Sequence, residues 1–206
     1  MHSSTAVRNW AIGHSPDTLE YILNNEVNIA IYERSIDPFQ AEIDRLIDSR
    51  ADLRVSGNID TILDQIISES VLGADSKVLK DIQSQLDLFQ EITGVRQFRL
   101  LLAVVNSNMC RRFHSDVNDL RLLCTYSGPG TLWLENENVN RKALNCHGGN
   151  EDIVLNEEEI RQATTGSVVL LKGSRYPQRG IEAIVHRSPT IEESRINRLL
   201  LRIDTN

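Results

Sequence analysis

The sequence predicts an α+β fold, a β-rich core with N-terminal helices packed on it. Three observations predict it: helical hydrophobic periodicity dominates as far as Gly94, short strand-like runs separated by turn residues follow, and no internal repeat or low-complexity linker divides them. We therefore expect a mainly helical region over residues 1–94, packed on a β core over residues 95–206. A chain of 206 residues can bury the core that such a fold needs.

The helical segments before Gly94 are predicted from start signals and apolar stripes. They begin at Ser15-Pro16 and at Asp37-Pro38, run from Ile59 to Val71, and run from Ser76 to Thr93. The last is the clearest, because its apolar residues keep a helical period and Gly94 follows as a C-terminal stop. Between the helices, Val27 to Tyr32 and Leu53 to Val55 resemble short strands.

After Gly94 the pattern predicts seven short strands. They are Phe98 to Val105, Leu120 to Tyr126, Thr131 to Leu134, Ile153 to Leu155, Ser167 to Leu171, Ile181 to Val185 and Leu199 to Ile203. Val27 to Tyr32 is a candidate eighth strand. Several short strands joined by turns indicate a sandwich or jelly roll.

Composition excludes several classes of function. No apolar run approaches the roughly 20 residues that cross a bilayer, and no secretory signal is visible, so we expect a cytoplasmic protein without a membrane partner. Residues 1–95 carry 7 basic and 16 acidic side chains, whereas residues 96–206 carry 15 and 13, which argues against nucleic-acid binding and leaves room for a basic pocket that binds a small anion. The three cysteines form no CxxC pair, so reduced thiols are expected.

The most informative motif is His114-Ser115-Asp116, followed 72 positions later by His186. Residues i and i+2 of an extended segment point the same way, so His114 and Asp116 could bind one ion together with a distal histidine. Two imidazoles and a carboxylate form a facial triad that leaves positions open and suits Fe(II). An isolated HxD is more often a chance match beside a hydrogen-bonded core histidine; here the β-rich surroundings, the distal histidine and the arginines after it favour the metal.

Three arginines and one threonine are candidates for holding an anionic cosubstrate. Alternation places Arg198 and Arg202 on one face of a strand, where a guanidinium turned into a barrel needs an anionic partner such as a dicarboxylate. An outer strand carrying solvated arginines is an equal alternative for either one, and Arg195 is a third candidate. Thr131 follows a Gly-Pro-Gly turn and could offer its hydroxyl to a carboxylate or a water, although a plain β-turn explains the segment too.

On these residues, the region from Phe98 to Asp204 resembles the double-stranded β-helix of the Fe(II)/2-oxoglutarate-dependent oxygenases. The resemblance implies that His114, Asp116 and His186 bind iron. It also implies that Arg198 holds the far carboxylate of 2-oxoglutarate and that Arg202 assists near its metal-chelating end.

A second resemblance covers most of the chain. The segments Phe113-His114-Ser115-Asp116, Thr125-Tyr126-Ser127-Gly128-Pro129-Gly130-Thr131-Leu132-Trp133 and His186-Arg187-Ser188-Pro189 are similar to a bacterial family of unknown function, some members of which are encoded beside zinc-responsive CobW-type GTPases.

Three functions are therefore kept. The leading hypothesis is a dioxygenase with Fe(II) and 2-oxoglutarate as cofactors, acting on an unidentified substrate. The alternative is a non-catalytic jelly-roll protein that binds Zn(II) for zinc homeostasis, and the third is an interaction module that uses the acidic helical half. The sequence identifies neither the substrate nor the oligomeric state.

Overall fold

The structure is a computed structural model, and it describes residues 8–146, 148–177 and 182–205. Its strands are β1 (Trp10–Gly13), β2 (Ile29–Tyr32), β3 (Asp52–Gly57), β4 (Phe98–Val105), β5 (Leu120–Ser127), β6 (Leu132–Leu134), β7 (Arg161–Gln162), β8 (Val168–Lys172), β9 (Val185–Arg187) and β10 (Arg198–Thr205). Its α-helices are α1 (Gln40–Asp48), α2 (Ile59–Glu69), α3 (Lys77–Thr93) and α4 (Asn150–Ile153). Short 3₁₀ helices cover Pro16–Leu23, Asp37–Phe39, Asn136–Asn138, Ala143–Asn145 and Glu157–Glu159.

Within these residues the strands form two sheets. The large sheet has the order β1-β2-β8-β5-β10-β4-β3 and is antiparallel except for the parallel pair β1 and β2. The small sheet has the order β7-β6-β9, and an isolated bridge between His114 and His186 adds a further segment beside β9. From β4 to β10 the chain therefore passes repeatedly between the two sheets.

Side-chain alternation on β10 separates the two faces of the large sheet. Leu199, Leu201 and Ile203 are fully buried in the core that the sheet shares with the helices. Leu200 belongs instead to the apolar cluster that includes Trp133 of the small sheet. Arg198 and Arg202 alternate with the helix-side leucines, so they lie on the face that looks toward the small sheet.

A buried polar network fixes α3 to the outer face of β5. Asp81 of α3 forms an ion pair with Arg34 and accepts hydrogen bonds from the Tyr126 hydroxyl (2.6 Å) and the Gln85 amide (2.7 Å). Burial raises the pKa of the neighbouring Cys124 thiol to about 12, so this thiol stays protonated at neutral pH. Both charged side chains of this network, Arg34 and Asp81, have partners, as buried charges require.

Helix predictions agree with the structure best where a start or stop signal is strong. The Ser76 hydroxyl accepts a hydrogen bond from the Leu79 N–H (3.0 Å), and Gly94 is left-handed with φ of 69°, so both predicted ends of α3 are confirmed. The segment that follows Ser15 is a 3₁₀ helix, and the segment that begins at Ile59 ends at Glu69 rather than at Val71.

Several strand predictions need correction. Ile153 to Leu155 is not a strand: α4 ends at Ile153, and the Val154 N–H bonds back to the Asn150 carbonyl (2.9 Å), as a helix end does. The strand expected over Ile181 to Val185 is Val185–Arg187, and Ile181 lies outside the described residues. Two strands were not predicted, β1 and the exposed two-residue β7.

The division of the chain at residue 94 stays a prediction. β1, β2 and β3 all precede that residue, and all three belong to the large sheet. In the described part of the chain, each helix is too short or too polar to cross a membrane.

Candidate metal centre

Backbone pairing brings the two predicted histidines together. The His114 N–H donates to the His186 carbonyl (3.0 Å), and the His186 N–H donates to the His114 carbonyl (2.9 Å). Residues directly opposite in an antiparallel pair project from the same face, and the two ring centroids lie 4.8 Å apart.

Asp116 completes the group two residues after His114. Its Oδ1 lies 3.6 Å from His114 Nε2, and its Oδ2 lies 3.3 Å from His186 Nε2. One ligand atom from each of the three residues can be chosen so that all lie within 4.8 Å of one another. Side chains that the sequence separates by 72 positions therefore converge on one point.

The imidazoles are oriented so that their Nε2 atoms face the carboxylate. His114 Nδ1 lies 2.9 Å from the backbone carbonyl oxygen of Arg112, which accepts the Nδ1 proton and leaves Nε2 free to bind a metal. His186 is 5% exposed, and its Nδ1 has no hydrogen-bond partner among the described residues. This donor set fits a divalent transition metal, because two neutral imidazoles and one carboxylate supply three ligand atoms.

The electrostatics of the group favour an ionised carboxylate. Burial by itself would raise the pKa of Asp116, but the adjacent imidazoles of His114 and His186 and the positive charge of Arg121 outweigh burial and hold this pKa well below its ordinary value. The nearby Asp116 carboxylate raises the pKa of His114 against the opposing effect of burial. In the metal-free protein a protonated His114 and the ionised Asp116 thus attract each other, and a bound metal would replace the proton on His114.

Two residues beside the group were not predicted from the sequence. The Arg121 guanidinium contacts Asp116 Oδ2 through Nη1 (2.6 Å) and Asp204 Oδ1 through Nε (2.6 Å). Asp204 is 4% exposed and lies on β10, directly opposite Arg121 on β5. The sequence signal was weak: Arg121 alternates with Thr125 in the predicted strand Leu120 to Tyr126, and Asp204 directly follows the predicted strand Leu199 to Ile203.

Arg198 is buried without an acidic partner. It is 2% exposed, and its Nη2 donates to the hydroxyls of Thr125 (2.8 Å) and Thr131 (3.2 Å). Within residues 8–146, 148–177 and 182–205, no carboxylate pairs with this guanidinium and its Nε has no acceptor. Burial lowers the pKa of Arg198 to about 10. Burying a guanidinium without a carboxylate is costly, so an anionic ligand would be favoured at this position.

The other predicted cosubstrate residues have different positions. Arg202 is partly exposed, and its Nε lies 3.1 Å from Asp204 Oδ2, so Asp204 already supplies it with a carboxylate. Arg195 is exposed in a turn with φ of 49°. Thr131 is buried, and its hydroxyl meets the Arg198 guanidinium.

Comparison with known families identifies the family to which the chain belongs. Residues 13–204 match the family model described as "Protein of unknown function (DUF1826)". The chain belongs to this family. No curated protein sequence matches it.

The solved structures that are similar to this chain include a dioxygenase and a hydroxylase. A dioxygenase for auxin oxidation from Arabidopsis thaliana, in a complex with 2-oxoglutarate, is 11% identical with a TM-score of 0.52, and the match covers 95% of this chain and 91% of that one. A prolyl-4-hydroxylase from Pseudomonas putida is 10% identical with a TM-score of 0.45 and 93% coverage of both chains. A full-length protein from Neurospora crassa, in complex with alpha-KG, is 17% identical with a TM-score of 0.37, and the match covers 86% of this chain and 63% of that one. The first of these shows that the chain shares its overall fold with that Arabidopsis thaliana protein.

Proposed function

We propose that this protein is a mononuclear non-haem Fe(II), 2-oxoglutarate-dependent dioxygenase that oxidises an unidentified substrate. The observation that carries the proposal is the buried Arg198 guanidinium, which has two threonine hydroxyls and no carboxylate beside it in the described chain. A dicarboxylate cosubstrate supplies the missing charge at one end and chelates a metal at the other.

The topology supports the same function. Eight segments, from β4 through the His114 bridge to β10, are divided equally between the two sheets, and this division supports the proposed double-stranded β-helix. The histidines and Asp116 lie where the small sheet meets the segment after β4, and Arg198 begins β10 on the inner face. The fold shared with a dioxygenase agrees with this assignment.

The residues would have the following roles. His114, Asp116 and His186 would hold Fe(II) and leave positions open, and the iron with 2-oxoglutarate and dioxygen would supply the oxidation of a substrate C–H bond together with conversion of 2-oxoglutarate to succinate. Arg198 would bind the far carboxylate, with Thr125 and Thr131 holding its guanidinium in place. Apolar inner-face residues such as Leu200 would exclude water from this end.

The experiment is a turnover assay on protein purified without oxygen. Succinate formed from 2-oxoglutarate is measured with and without Fe(II) and dioxygen, and we expect slow formation that needs both even without the primary substrate. His186→Ala should abolish it, whereas His14→Ala, which removes a histidine with an 82% exposed side chain, should not. Equal rates in wild type and His186→Ala would refute the proposal.

The alternative of a zinc-binding, non-catalytic protein makes a different prediction for the same preparation. Imidazole and carboxylate ligands also bind Zn(II), and the usual affinity order places zinc above Fe(II). Zinc that remains bound in a one-to-one ratio after dialysis, with no effect of 2-oxoglutarate, would favour that function over the proposed one.

A further inference from the structure

We infer that Arg121 is a positioning residue that restricts Asp116 to binding the metal through one oxygen, and that Asp204 offsets the charge of Arg121. The inference rests on the metal site of the proposed function. It concerns two residues that the proposed function does not use.

The contacts that carry it are short and buried. Arg121 Nη1 lies 2.6 Å from Asp116 Oδ2, while Arg121 Nε and Nη2 lie 2.6 Å and 3.3 Å from the two oxygens of Asp204. The side chains of Arg121, Asp116 and Asp204 are 18%, 12% and 5% exposed. One planar guanidinium therefore spans two carboxylates, a geometry that the single ammonium of lysine cannot reproduce.

The strand register explains why Arg121 reaches both. Arg121 on β5 pairs directly with Asp204 on β10, so both side chains project from the inner face of the large sheet. Asp116 precedes β5 by a short turn, and this turn brings its carboxylate over the Arg121 side chain. The positioning group is thus built into the sheet, whereas the group that it positions lies in a loop.

The contact has a chemical consequence at Asp116. A carboxylate can bind a metal through one oxygen or through both. A charge-assisted hydrogen bond from Arg121 engages Oδ2 and leaves Oδ1 as the free donor. Binding through one oxygen keeps a coordination position available, which a bidentate cosubstrate and dioxygen both need.

The charges predict effects of opposite sign. Arg121 places a positive charge beside the site and opposes binding of a divalent cation, whereas Asp204 places a negative charge behind Arg121 and favours it. Asp204 also contacts Arg202 Nε (3.1 Å) and the Asn118 amide (3.3 Å), so it keeps partners when Arg121 is replaced.

The test is a titration of the metal-free protein with Co(II) alone, in which binding is monitored by visible absorption and by calorimetry. Arg121→Gln should bind Co(II) about tenfold more tightly, with a weaker visible band because Asp116 then binds through both oxygens. Asp204→Asn should bind Co(II) about tenfold more weakly. Arg54→Gln is the matched control, because it removes an exposed arginine of β3 that pairs with Asp52, and its affinity should equal that of wild type.

The outcomes separate the inference from the proposed function. If wild type binds no Co(II), or if His186→Ala binds it equally well, both the metal site and the inference are wrong. If wild type binds one Co(II) but both variants weaken binding in parallel with a lower melting temperature, Arg121 is merely structural and the inference alone is overturned. An unchanged or tighter affinity in Asp204→Asn contradicts it even if Arg121→Gln fails to fold.

Discussion

Replacing Arg198 by methionine tests whether its guanidinium binds the far carboxylate of 2-oxoglutarate. Methionine keeps most of the side-chain length and removes the charge and the donors. Arg198 is 2% exposed and has no carboxylate partner in the described chain, and removing one partner of a buried, hydrogen-bonded charge pair typically costs about 2–5 kcal/mol. In the Arg198→Met variant the far carboxylate of 2-oxoglutarate would be buried without its partner, so we expect the affinity to fall by about 3 kcal/mol, roughly 150-fold.

The assay is calorimetric titration of 2-oxoglutarate into the Fe(II)-loaded protein without oxygen. Arg198→Lys should recover part of the affinity, because it keeps the charge but loses the second donor. Arg54→Met on the exposed edge strand β3 is the control and should bind as wild type does. A loss of less than about threefold in Arg198→Met, with metal binding intact, would refute the assignment of Arg198 to the far carboxylate.

Three further predictions concern pH, the helix-side network and a close backbone contact. The raised pKa of His114 means that its protonated form stabilises the metal-free protein fully below the ordinary histidine pKa of about 6.5, and that this contribution is lost as the pH rises through the higher folded-state pKa. The difference in unfolding free energy between wild type and His114→Gln should therefore shrink as the pH is raised above about 6.5, and a constant difference would contradict this reasoning. Tyr126→Phe removes a buried hydroxyl that bonds Asp81 and should lower the unfolding free energy by about 1–2 kcal/mol in urea, with Co(II) affinity unchanged. Gly130→Ala places a Cβ against the Ala163 carbonyl and should lower both the melting temperature and 2-oxoglutarate affinity, because Thr131 is displaced; wild-type values for both would contradict it.

Much of the fold could be predicted where local chemistry decides it. α3 follows from one apolar stripe, a serine cap and a glycine stop, all within neighbouring positions of one segment. β5 and β10 could be predicted from their apolar, β-prone sequences, because the residue pattern of a buried strand does not depend on which strands lie beside it. β7 could not be predicted, since its two residues are exposed and carry no apolar alternation.

The candidate site was predictable in its ligand types and less so in its supporting contacts. The HxD motif and the distal histidine supply two imidazoles and one carboxylate, which are residue types that bind one metal ion together. In the structure their ligand atoms lie within 4.8 Å of one another. The contacts of Arg121 depend on which strand pairs with β5 and in what register, and its partner Asp204 is 83 positions away. The register between strands that are distant in the chain is set by tertiary packing, so it could not be predicted from this one sequence.

The most direct measurement is a crystal structure grown without oxygen in the presence of Mn(II), as a substitute for Fe(II), and 2-oxoglutarate. We predict one ion bound by His114, Asp116 and His186, with 2-oxoglutarate chelating it and its other carboxylate against Arg198. An ion bound elsewhere, or 2-oxoglutarate density that does not reach Arg198, would contradict the account.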